Sequence, residues 1–189
     1  MHCFVAVDLS PEAREAIAIA QHALRDAGPR ADVGWVDVAK LHLTLKFLGE
    51  VPEDAVGAVG TTLAEVAGRH RVFELVAGGV GCFPGPSRPR VLWTGLTGGL
   101  REIGALAADV ERACVPLGFP PEARPFRGHV TIGRVRSPRG IGRVVRTMDA
   151  LADRTFGAWT VRDLVLYRSH LRGARGSLYE ALARFALGE

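Results

Sequence analysis

The sequence predicts an α/β (α+β) protein built from two pseudo-symmetric lobes that face a central cleft. Two observations carry this. The order strand, helix, polar-faced strand, helix, strand occurs twice, over about 3–77 and again over about 91–167. The intervals repeat as well: about forty residues separate the first strand from the polar-faced strand in each half, and about thirty more lead to the closing strand. A single unit spanning 1–189, internally duplicated and with its lobes interwoven, accounts for both. A feature present once per lobe then meets its counterpart across the cleft.

The elements follow in order. Cys3 to Leu9 reads as a buried strand, and Ser10-Pro11-Glu12 supplies an N-cap, a proline at the first helical position and an early acid. Ala13, Ile17, Ala20 and Leu24 recur at helical spacing until Gly28-Pro29 stops the helix. Leu41 to Phe47 alternates strictly, which predicts Leu41, Leu43, Leu45 and Phe47 on a core face and His42, Thr44 and Lys46 on the other. A helix through Val56, Val59, Leu63 and Val66 and a strand at 72–76 complete the first half. Gly78 to Pro89, rich in Gly and Pro, reads as the connection. In the second half Val91 to Leu96 is a strand, and Leu100, Ile103, Leu106, Ala107 and Val110 mark a helix ending before Pro116. The proline-rich loop 116–128 leads to an alternating strand at His129 to Ile132. A helix over 144–151 and a strand over 160–167 follow.

At 48% hydrophobic and 23% charged residues the chain lies in the range of folded globular proteins and outside that of disorder. Its net charge of +4 rests on arginine, because Lys40 and Lys46 are the only lysines, and it mildly favours a phosphate-bearing partner. Cys3, Cys82 and Cys114 are odd in number and lack a CxxC spacing, so they read as free thiols rather than a disulfide framework or zinc site. No apolar run is long enough to span a bilayer, and the N-terminus lacks the basic start of a signal peptide. A cytoplasmic protein is expected.

The chemistry lies in His42-Leu43-Thr44 and His129-Val130-Thr131. With six histidines and nine threonines in 189 residues, chance supplies roughly 0.3 such tripeptides, and here two stand at matching places in the two halves. On a strand, residues i and i+2 share a face, so each histidine points with its threonine. Two imidazoles with ordinary pKa near 6.5 can divide acid and base roles at neutral pH, and two hydroxyls can donate to an anion between them. These are the parts that in-line displacement at phosphorus requires, with no metal among them. Lys46 continues the His42 face and adds positive charge. Arg134 has the opposite parity to His129 and reaches the same place only if the strand ends or twists. Phe126 and Tyr167 are the favoured aromatics for stacking a base, ahead of Trp35, Phe83 and Trp93. His2, His22, His70 and His170 share no repeated context or metal-ligand spacing. The absence of a GxxxxGK[S/T] loop leaves nucleoside triphosphate chemistry without a seat, so no cofactor is expected.

These motifs resemble the two-histidine (2H) phosphoesterase superfamily, in particular the bacterial and archaeal RNA 2′,3′-cyclic phosphodiesterases, also called 2′-5′ RNA ligases. The likeness runs through Lys40 to Val51, Gly81-Cys82-Phe83-Pro84, Val91-Leu92-Trp93, Phe126 to Val135, Leu164 to Ser169 and Tyr179 to Leu187. It implies the 2H phosphoesterase fold, two pseudo-symmetric lobes with mainly antiparallel sheets, with His42, Thr44, His129 and Thr131 in the cleft. It also implies an activity, the opening of cyclic phosphate ends of RNA, tRNA fragments among them, to 2′-phosphates by a monomer. By the same likeness His129 is the base toward water and His42 the acid toward O3′, although the sequence symmetry permits the reverse. Gly128 stands where many relatives have proline. The other readings are an ATP-independent 2′-5′ RNA ligase and a non-catalytic RNA-end binding module.

Overall fold

The computed structural model describes residues 1–171 and 177–189. Among these residues nine strands and four α-helices follow in the order β1 (His2–Asp8), α1 (Pro11–Ala27), β2 (Val33–Trp35), β3 (His42–Glu50), α2 (Val56–Gly68), β4 (Phe73–Phe83), β5 (Val91–Gly98), α3 (Leu100–Cys114), β6 (Val130–Val135), α4 (Ile141–Ala150), β7 (Thr155–Val161), β8 (Asp163–Leu171) and β9 (Ser177–Ala186). Local chemistry sets the helix ends. Ser10 Oγ accepts from Ala13 N at 3.1 Å, Pro11 opens α1, and Gly28 N closes it on Leu24 O at 3.2 Å.

The strands form one antiparallel sheet in the order β7-β4-β5-β6-β3-β1-β8-β9, with β2 also paired to β6. It consists of two four-stranded halves, β7-β4-β5-β6 and β3-β1-β8-β9. They join where β3 and β6 meet in a single residue pair, Leu43↔Val130. The closing strand of each sequence half lies in the opposite half-sheet: β4 pairs with β5 and β7, and β8 pairs with β1 and β9. Helix α1 packs with α4 and against β7, while α2 packs with α3 and against β8 and β9. Leu43 and Val130, both 0% exposed, belong to the core that holds Ile17, Leu24, Leu63, Ile103, Leu106 and Val110 from the helices. Their neighbours on either side therefore face away from it.

Three expectations change. Strand β4 continues to Phe83, so Gly78 to Phe83 belongs to the sheet rather than to a connection. Its glycines read as loop, yet a Cβ on Gly81 would stand 2.4 Å from the Trp93 ring on β5, so glycine is what lets the strands approach. The closing strand at 160–167 is two strands, β7 and β8. Phe47 is 61% exposed and Lys46 1% exposed, the reverse of the alternating pattern. A β-bulge is the cause: Val5 pairs with Lys46 and Ala6 with Thr44, so Leu45 has no partner on β1, and the faces exchange beyond it.

Candidate active site

The face of β3 and β6 turned away from the core lines a cleft of about 920 Å³. His42, Thr44, His129 and Thr131 all open onto it. Antiparallel pairing centred on Leu43↔Val130 sets His42 abreast of Thr131 and Thr44 abreast of His129. Each histidine is thus diagonal to the other and faces the threonine of the opposite half.

Both imidazoles are held in the same manner. His42 Nδ1 lies 2.8 Å from Lys40 O, and His129 Nδ1 lies 2.7 Å from Arg127 O. A carbonyl oxygen only accepts, so Nδ1 carries the proton in each ring and Nε2 is left for chemistry. Burial pushes both imidazoles below their ordinary pKa, against the pull of those two carbonyls. The surroundings then differ. The Asp8 carboxylate raises His42 while Arg14 lowers it, the Arg127 guanidinium lowers His129, and Arg134 lowers both.

Aromatic rings fix each imidazole. Phe4 lies 5.0 Å from the His42 ring, and Tyr179 meets it edge-on at 5.1 Å. Phe83 meets His129 edge-on at 5.0 Å, and Arg127 stacks its guanidinium over Phe83 at 5.1 Å and Trp93 at 5.7 Å.

Arg134 lines the cleft despite its parity. Here again a bulge is responsible: Leu92 pairs with Gly133 and Trp93 with Thr131, so Ile132 has no partner on β5. The carbonyl of Ile132 accepts from Val36 N at 3.0 Å and from Gln21 Nε2 at 2.8 Å, and Gln21 also donates to Val36 O at 2.7 Å. The bulges at Leu45 and Ile132 each follow a His-x-Thr by one residue. They bring Phe47 in one half and Arg134 in the other to corresponding positions on the cleft.

Phe126, 37% exposed, also lines the cleft. Lys46 does not present its ammonium to a ligand. Its Nζ donates to both Glu111 oxygens, at 2.9 and 3.0 Å, and to Pro120 O at 2.9 Å, while Glu122 N donates to Glu111 Oε1. Lys46 on β3 and Glu111 on α3 thereby hold the start of the loop that carries Arg124, Phe126 and Arg127. Tyr167 lies beside the site rather than in it. It stacks on Phe4 at 5.2 Å and donates its hydroxyl to Asp8 Oδ1 at 2.7 Å. Burial and that carboxylate push its pKa up to about 12. Tyr179 and Phe47 are cleft residues that alternation and motif spacing did not single out, whereas Arg124 and Arg127 reach the cleft from the proline-rich loop 116–128. At Gly128 a Cβ would meet Leu96 Cδ1 at 2.7 Å, so a side chain there requires Leu96 to rotate. Among the described residues no group of three or more His, Cys, Asp or Glu side chains is arranged to hold a metal, and no helix is long and apolar enough to cross a membrane.

Known proteins share this fold. The family model of LigT-like phosphoesterases matches residues 7–93 and 97–176. An RNA 2′,3′-cyclic phosphodiesterase of Aeropyrum pernix is 35% identical over 78% of this chain and 82% of its own. Its namesake in Methanothermobacter thermautotrophicus is 31% identical over 99% of both chains. Among solved structures, a protein of Thermus thermophilus superposes with a TM-score of 0.78 at 30% identity, each chain covered in full. Escherichia coli LigT complexed with 3′-AMP gives 0.73 at 29% identity, over 100% of this chain and 98% of that one. With the family model spanning nearly the whole sequence, both His-x-Thr segments included, the chain belongs to the LigT-like phosphoesterase family of the 2H superfamily.

Proposed function

We infer that the chain hydrolyses the 2′,3′-cyclic phosphate end of RNA to a 2′-phosphate by general acid–base catalysis between His129 and His42. The observation that carries this reading is the pair of imidazoles flanking Leu43↔Val130, each with Nδ1 bound to a carbonyl and Nε2 without a partner among the described residues. The names of the curated relatives favour hydrolysis over the ligase and binding-module readings.

The division of roles is supported by a difference in the charges beside the two rings. Asp8, opposed by Arg14, favours the imidazolium at His42, and no carboxylate among the described residues offsets Arg127, which favours the neutral ring at His129. Neutral His129 Nε2 takes a proton from water as its oxygen bonds to phosphorus. The P–O3′ bond breaks on the opposite side, and His42 Nε2–H gives its proton to the departing O3′. The Thr44 and Thr131 hydroxyls donate to the non-bridging oxygens, and Arg134 adds positive charge as their negative charge grows. The ring closed by O2′ and O3′ becomes a 2′-phosphate beside a free 3′-hydroxyl. Solvent then returns a proton to His42 and removes one from His129.

Both histidines come from one chain, which supports a monomer as the working unit, and the ends of cleaved tRNA fragments carry the right chemistry to be substrates. Incubation of the protein and chelator with an oligoribonucleotide ending in a 2′,3′-cyclic phosphate tests the reading. A 2′-phosphate product supports it; a 3′-phosphate, or no turnover, overturns it.

A further inference from the structure

At the mouth of the cleft Val91 pairs with Arg134, and both residues line it. One step farther out, Arg90 and Val135 line a second cavity of about 560 Å³, as do Arg136, Arg88 on the loop before β5, and Arg146 on α4. Arg134 and Arg136 are two residues apart on an extended chain, ~7 Å, which is about the rise of two stacked nucleotides. The second cavity therefore begins where the first ends.

Among the described residues its lining holds four arginines and no acidic one. Among the described residues none of the four has an ion-pair partner, unlike Arg14, Arg112 and Arg184. Ile141 and Gly142, the first two residues of α4, also line it, and no side chain caps that helix, so its first N–H groups and dipole add to the positive field. Pro86, Pro89 and Pro138 stiffen the walls. The corresponding exit along β3 has the opposite sign: beyond Gly49, which lines the cleft, come Glu50, Glu53 and Asp54.

We propose that the arginine cavity binds the phosphodiester backbone of the RNA strand just 5′ of the cyclic end, so that the strand leaves the cleft along β6 rather than β3. This rests on the proposed function, because it supplies the remainder of a substrate whose end occupies the cleft. Single-stranded RNA offers the repeated phosphates that a row of guanidiniums matches, and neutralising them releases counterions.

The test uses a protein carrying both Arg88→Gln and Arg146→Gln, two exposed side chains outside the catalytic cleft. Turnover is compared on a 2′,3′-cyclic mononucleotide and on an oligoribonucleotide with the same end. Binding of a fluorescent oligoribonucleotide is followed by anisotropy across a salt series. The variant is expected to raise KM for the oligonucleotide about tenfold while leaving the mononucleotide unchanged, and to lower the salt slope by about 1.4, at ~0.7 per phosphate contact. Equal effects on both substrates, or none on either, overturn the cavity's role while leaving the hydrolytic reading in place. If the wild-type protein turns over neither substrate, the hydrolytic reading fails, and anisotropy alone decides: weakened binding with a reduced slope supports the cavity, and unchanged binding overturns it.

Discussion

Leu43 and Val130 face each other at the one residue pair that joins the two half-sheets, and each is followed by the threonine and preceded by the histidine of a His-x-Thr segment. That pairing places both imidazoles on one cleft. Removing either should therefore disable the same reaction. His42→Ala and His129→Ala are each expected to lower kcat/KM on a cyclic-ended oligonucleotide by at least about 10²-fold, and the double variant by much less than the product. Circular dichroism and Tm should change little. Near-normal turnover in either single variant contradicts the assignment.

The pH dependence follows from the direction of the two shifts. Activity falls at low pH as the base protonates and at high pH as the acid deprotonates. Both imidazoles lie below the ordinary value of about 6.5, so both limbs of kcat/KM move toward acid and the optimum lies below about 6.5. Arg134 contributes to both shifts, so Arg134→Gln should move both limbs toward alkali. An optimum above 7, or a profile that Arg134→Gln leaves in place, goes against the electrostatic account.

Lys46→Met tests the loop tether. The substitution leaves the Glu111 carboxylate without its cation and frees Pro120 O, and it should destabilise the fold by about 2–3 kcal/mol, below the figure for a fully buried pair because Glu111 is partly exposed. Urea unfolding measures this. Adding Glu111→Gln should recover part of the loss; a double variant no more stable than Lys46→Met shows that the pair is not the tether.

Gln21 is a positioning residue for Arg134, because its amide holds the bulge at Ile132. Gln21→Leu is expected to lower stability by about 1–3 kcal/mol and to raise KM with a smaller change in kcat, since Arg134 loses its register. Unchanged KM with lowered Tm would mean that the amide serves only the fold.

The helices, the two alternating strands and the His-x-Thr pairs were legible because local signals and tertiary structure agree there. Ser10-Pro11 caps α1 as its chemistry dictates, and His42 and His129 share strand faces with their threonines. What was not legible depends on register between strands. Nothing near Leu45 or Ile132 announces a bulge, yet the two bulges bury Lys46, expose Phe47 and bring Arg134 to the cleft. Strand β9 escaped because its Leu, Glu, Ala and Arg residues are good helix formers, and only pairing with β8 makes it a strand. Tyr179, which it carries to the cleft, escaped with it. We read the matching strand orders and the paired bulges as the mark of an internal duplication.

Replacement of the bridging O3′ by sulfur tests the division of labour between the two histidines most directly, because a thiolate leaves without being protonated. The rate on this cyclic phosphorothiolate end is measured for the wild type, His42→Ala and His129→Ala. The account predicts that sulfur restores His42→Ala to near wild-type turnover and leaves His129→Ala impaired by at least about 10²-fold. Restoration of His129→Ala instead would exchange the two roles, and rescue of neither would contradict acid–base catalysis by the pair.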